Sequence, residues 1–150
     1  MAVQPFESQD QGYVDLVAGT EDYLNGDVAA ILVTTTQTLN RATTLTYADV
    51  SGNESDDQDY SAQVVGDKAV SLEGTRVRIT HSKITFTAEG DVTGRYVVYV
   101  FGAAASLGGT DRILGWVDLT GDGNASSTNA EFSFTPHADG LWEIERTAAA

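Results

Sequence analysis

Residues 118–124, DLTGDGN, place side-chain oxygens at the spacing of a calcium loop. Such a loop needs oxygen ligands at its first, third and fifth positions, glycine at the sixth and a bidentate glutamate at the twelfth. Asp118, Thr120, Asp122 and Gly123 meet the first four requirements. The twelfth position is Asn129, and Glu131 comes two residues late. Asp118, Asp122 and Asn124 are thus weak calcium candidates. The competing interpretation is mechanical: Gly121, Asp122, Gly123 and Asn124 are residue types that tolerate positive φ, as a strand-to-strand connection requires. Residues 125–128, ASST, would then lengthen that loop. The missing glutamate favours the turn, and no metal is expected.

Glu54, Asp56, Asp57 and Asp59 crowd four carboxylates into six residues. They repel one another unless a cation, a basic partner or solvent neutralises them. An exposed, solvated loop needs no ligand, and like-charge runs are usually exposed. His81 and His137 are the only histidines. A metal centre would want two or three such groups on close elements, so both are expected at turns or on the surface. No G-x-S-x-G nucleophile elbow occurs. Carboxylate pairs of the glycosidase kind are numerous in so acidic a chain, but none is singled out. The glycine-rich run 102–109, GAAASLGG, lacks the Lys-Ser/Thr ending of a phosphate loop. It is expected to be a flexible connection that can lie against another subunit, with Gly102 and Leu107 as contact candidates. No catalytic residue and no cofactor is expected.

With 150 residues the chain suits one domain with its own core. Its 22 acidic and 8 basic residues give a formal net charge of −14. That field repels phosphate, so nucleic-acid binding is not expected. No apolar run reaches bilayer length, and residues 1–12 lack the basic start and apolar core of a secretory signal. Cysteine is absent, which excludes disulfides and thiolate chemistry.

The elements that must hold these residues read as strands. Residues 27–36 run apolar and then β-branched, without helical period. Strands are expected at 43–50, 60–65, 70–72, 76–80 and 83–88. In RVRIT, Val77 and Ile79 share one face against Arg76, Arg78 and Thr80 on the other. Residues 95–103, RYVVYVFGA, are apolar on both faces, which suits a central strand covered on both sides, ahead of a strand with one face against a partner. Strands at 112–120, 131–135 and 141–147 complete about nine, with Trp142 and Ile144 on one face of the last. Trp116 and Trp142 are expected in the core, although an exposed Trp116 would suit carbohydrate. Residues 12–24 are strand or short helix, and their period does not choose. Residues 1–11, with Pro5, are expected to be a flexible arm on which Phe6 is a partner contact; 12–150 form the single domain. The pattern is all-β, an antiparallel β-sandwich of jelly-roll or immunoglobulin-like type.

The run ILVTT at 31–35, the loop TYADVSGNE at 46–54 and the strand led by Tyr60 resemble small structural proteins of tailed bacteriophages. KITFTAEGDVTGRYVVYVFG, DRILGWVDL and EFSFTPHADGLWEIER extend the resemblance over residues 12–147. It implies a β-sandwich virion protein of the head-decoration, or cement, type. Its partner would then be the major capsid protein of the same virion, on the capsid surface after synthesis in the host cytoplasm, with a homo-trimer as a suitable arrangement. A tail or connector component is the neighbouring possibility. A carbohydrate-binding or adhesive sandwich, with or without calcium, is the alternative outside virions.

Overall fold

A computed structural model of the chain describes residues 3–137 and the strand at 142–145. Among the described residues it is mostly β, with antiparallel pairing throughout and one α-helix. In chain order the elements are β1 (Glu7–Ser8), α1 (Asp10–Ala18), β2 (Val28–Val33), β3 (Gln63–Val64), β4 (Ala69–Glu73) and β5 (Arg76–Thr80). β6 (Ile84–Gly94), β7 (Tyr96–Phe101), β8 (Ile113–Asp118), β9 (Ala125–Phe134) and β10 (Trp142–Glu145) follow. They form an all-β sandwich.

A five-stranded sheet runs in the order β1-β8-β7-β2-β3, beside a β10-β5-β4 sheet and a β6-β9 pair. Its central strand β7 is apolar on both faces. Val97, Tyr99 and Phe101 enter one buried cluster, and Val98 and Val100 enter another. The first cluster lies against β5, β6 and β9 through Ile79, Phe86, Phe132 and Phe134. The second lies under connecting segments, with Val50, Tyr47, Leu39 and Leu107 over Ile31, Ile113 and Trp116. β2, VAAILV, is buried at every residue because both its faces are covered. Each fully buried Val, Leu or Ile there stabilises the fold by about 1.5–3 kcal/mol.

Several expectations are corrected. Residues 43–50 do not form a strand but lead into two short 3₁₀ turns, Tyr47–Asp49 and Ser51–Asn53. The Asp49 carboxylate accepts from the backbone N–H of Leu45 and Thr46 at 2.8 and 3.0 Å, a local closure that competes with a ladder. Residues 125–128 are the start of β9, paired with the end of β6. The 60–65 strand shortens to β3. The ambiguous segment 12–24 begins inside α1, whose N-cap Gln9 accepts from the Gly12 N–H at 2.6 Å and whose C-cap is Gly19 at φ 75°.

The expected free arm is absent from residues 4–9. They run along β8, with Gln4 N–H donating to Asp118 O at 2.8 Å and Gln9 N–H to Leu114 O at 2.9 Å. Phe6 packs edge-on against Tyr99, ring centroids 5.9 Å apart. The physical reason is the open edge of β8, whose unpaired groups a polar segment can satisfy. Gly115 permits the approach: a Cβ there would collide with the Glu7 carbonyl oxygen and the Phe6 ring. At the other end, β10 pairs with β5, Ile144 opposite Val77. The facing of the Trp142 and Ile144 side chains lies outside the described residues.

Candidate functional site

DLTGDGN folds around an internal cation. Arg95 donates from Nε to Asp118 Oδ1 at 3.1 Å and from Nη2 to Oδ2 at 2.9 Å. Nη2 also donates to the Gly121 carbonyl at 2.7 Å, and Nη1 to Thr35 Oγ1 at 3.2 Å. Asp118 further accepts from the N–H groups of Thr120 and Gly121. Burial alone would raise the Asp118 carboxyl, but Arg95 and these two amides outweigh it and hold it below its ordinary range. The Thr120 hydroxyl shares its hydrogen between the carbonyls of Asp122 and Gly123, and Gly121 and Gly123 take φ of 80° and 62°. Asn124 turns its Oδ1 to the Thr35 N–H at 2.8 Å. Asp118, Asp122 and Asn124 thus sit in a tight turn, and the cation that Asp118 holds is a guanidinium. Among the described residues no three His, Asp or Glu side chains converge closely enough for a metal ion.

The acidic loop is likewise used from within. Glu54 accepts from the phenols of Tyr47 at 2.5 Å and Tyr60 at 2.6 Å, and Tyr60 Oη accepts from the Leu32 N–H at 3.2 Å. Asp57 accepts from Thr93 N–H at 2.7 Å, and Asp59 from Asp91 N–H at 2.9 Å. These two amides belong to β6; Asp91 lies where its register against β9 slips, between Gly90 and Val92, and Thr93 lies in the paired stretch beyond. Burial, and then the Glu54 carboxylate, push the Tyr47 phenol up to about 12. The same causes raise Tyr60.

His81 is not at the surface, as expected, but 7% exposed. Its Nδ1 lies 2.6 Å from the Ser82 carbonyl, which can only accept, so Nδ1 carries the proton. Nε2 then accepts from the Tyr99 hydroxyl at 2.9 Å. Desolvation lowers the His81 pKa from its ordinary value, opposed by the Ser82 hydrogen bond.

The three expected partner contacts are turned toward the chain's own packing. Phe6 is half-buried on the Tyr99 side of the core. Gly102 donates its N–H to the Asp27 carbonyl at 3.0 Å. Leu107 packs against the second cluster, and Asp111 closes the loop by accepting from Gly108 N–H at 2.8 Å. Trp116 is buried, so it offers no platform for a sugar.

Beside the N-terminal segment a cleft of about 750 Å³ opens between Phe6, Val117, Leu119, Phe132 and Phe134. Glu131 on its rim is held by Lys83 Nζ at 2.6 Å and by the Ser133 hydroxyl at 2.7 Å. Its apolar lining suits contact more than chemistry. No family model, curated protein or solved structure matches the chain.

Sequence reasoning missed Arg95, Tyr60 and His81 as organising residues. Arg95 follows Gly94 and opens an apolar run, and its partners lie 23 and 60 positions away. Nothing in the spacing marks such a node.

Proposed function

We propose that this chain is a non-enzymatic structural protein of a virion, a head-decoration protein that docks on the major capsid protein lattice and stabilises the shell. The observation that carries the proposal is the fate of the reactive side chains. Asp118, Glu54, Asp57, Asp59 and His81 are engaged in bracing loops and strands. The resemblance to small tailed-phage structural proteins supports the same reading. The acidic surface, at a net charge of −14, suits a soluble protein waiting for a lattice. Docking of many copies needs only modest energy per contact, because avidity accumulates it. A trimer about a local threefold axis would suit such a lattice.

The features that motivated a carbohydrate-binding sandwich do not favour it: Trp116 is buried and Asp118 is held by Arg95. The test is co-sedimentation of the purified protein with empty shells, and separately with tails, of the virus that encodes it. Saturable pelleting with shells and greater heat resistance of the decorated shells are expected. Pelleting with tails alone would move the role to a tail or connector. No association at any salt would overturn the virion reading.

A further inference from the structure

Helix α1 turns most of its apolar side chains outward. A helix on a globular surface normally turns its apolar stripe inward. Here the inward face carries Gly12 and Asp15, both buried, and Leu16, partly buried against the core, while Val14 is 53% and Val17 68% exposed, with Tyr13 at 38% beside them. Gly12 lets the helix backbone approach β8, where a Cβ would collide with the Ile113 carbonyl oxygen. Asp15 Oδ2 is buried without a hydrogen-bond partner, with Arg112 Nε 3.7 Å away. A buried carboxylate oxygen and exposed valines both cost stability, so folding alone does not explain this orientation. Val14 and Val17 are three apart, and Tyr13 and Val17 four apart, so they form one stripe.

We propose that this outward stripe of α1 is the docking face of the protein, and that its partner is an apolar groove rimmed by lysine and arginine. The inference rests on the virion reading above and assigns that role to one surface. Charge selects the partner. Around the stripe Glu7, Asp10, Asp22 and Asp27 are exposed and Glu21 half-buried, and residues 7–27 contain neither lysine nor arginine. The neighbouring cations are engaged: Arg41 lies 3.3 Å from Asp10, Arg112 lies 3.7 Å from Asp15, and Lys68 donates to the Gly26 carbonyl. A second copy of the chain would bring like-charged rims together. The stripe also offers only a few hundred Å² at most. A stable dimer buries roughly 800 Å² on each partner. A small apolar stripe in an acidic surround fits a basic-rimmed groove met many times over on a lattice.

The experiment measures co-sedimentation with the virus's own empty shells for four proteins: the unmodified chain, Val14→Asp with Val17→Asp, Val14→Ala with Val17→Ala, and Leu72→Asp. Leu72 is an exposed apolar residue of β4, 63% accessible, and serves as the control. The alanine pair keeps helix propensity while removing the stripe, and circular dichroism checks that each variant is folded. At least a tenfold loss of apparent affinity in folded α1 variants, with a smaller loss in Leu72→Asp and weaker binding of the unmodified chain as salt rises, is expected. Unchanged binding by the α1 variants overturns the assignment while leaving shell docking intact. An equal loss in Leu72→Asp overturns it as a general effect of added charge, and salt-insensitive binding overturns the basic rim. Failure of the unmodified chain to bind shells removes the head-decoration reading and the docking face with it.

Discussion

Arg95, just before β7, and Asp118, the last residue of β8, meet side chain to side chain, two nitrogens of one on two oxygens of the other at 3.1 and 2.9 Å. Both side chains are largely buried, 18% and 19% exposed. The pair ties the 118–124 turn to the residues after β2, since the same guanidinium reaches Gly121 O and Thr35 Oγ1. Arg95→Ala is expected to destabilise the fold by about 2 kcal/mol, because it strands a largely buried carboxylate. Arg95→Lys should restore little, since an ammonium cannot make the forked contact. Urea denaturation measures both. Excess calcium should leave the midpoint of the unmodified protein where it is; a rise with calcium would return DLTGDGN to the metal sites.

The His81–Tyr99 pair sets an acid limit. Desolvation lowers the folded pKa of His81, so between that value and the ordinary imidazole value the unfolded chain binds more protons. Stability therefore falls as pH drops through about 6.5, and falls further until the folded imidazole itself protonates. Asp118 adds a loss at lower pH: its folded carboxyl is depressed, so its contribution is present above the unfolded carboxyl value and disappears as pH falls through the folded one. His81→Gln should flatten the first phase and leave the second. Thermal unfolding followed across pH would show both phases, and an unchanged first phase in His81→Gln would reject the assignment.

Glu54 with its two phenols predicts the alkaline side. Burial, then Glu54, raise the folded pKa of Tyr47 to about 12 and raise Tyr60 as well. Burial raises Tyr23 and Tyr99 also. Folded protein then holds more protons than unfolded above pH about 10, so stability falls as pH rises past that value. Ultraviolet titration should show phenolate appearing together with unfolding. Tyr60→Phe leaves a Glu54 oxygen and the Leu32 N–H without their partner and should cost about 1–3 kcal/mol.

Gly115 is where the N-terminal segment is admitted to the sheet. Gly115→Ala places a methyl group against the Glu7 carbonyl and the Phe6 ring, with an expected loss of roughly 1–3 kcal/mol. Limited proteolysis should then cut within residues 3–9 in the variant and spare them in the parent. Equal protection in both would show that the segment is held elsewhere.

The strands rich in β-branched residues were legible because burial on one or both faces writes a period into the chain. β5 falls at the residues expected, and β7, apolar on both faces, is central. Residues 43–50 misled because their weak alternation of Leu45 and Tyr47 was outweighed by Asp49 closing the backbone on itself. Residues 125–128 misled because small polar residues look like a loop, although their backbone amides pair with β6 as readily as valine would. Phe6 was found as a residue of consequence, but its direction depends on Tyr99, 93 positions away in the sequence.

The sequence by itself determined the all-β class, the central strand and the turn at 118–124, since each follows from local residue types and a period of two. It also determined the formal net charge of −14. Only the tertiary structure decided which carboxylates carry partners, because Arg95, Tyr47, Tyr60 and the β6 amides reach them across the fold. It also decided which face of α1 points outward. Periodicity names a stripe, but the choice between burying that stripe and burying the face of Gly12, Asp15 and Leu16 was made by how closely the helix must lie on β8.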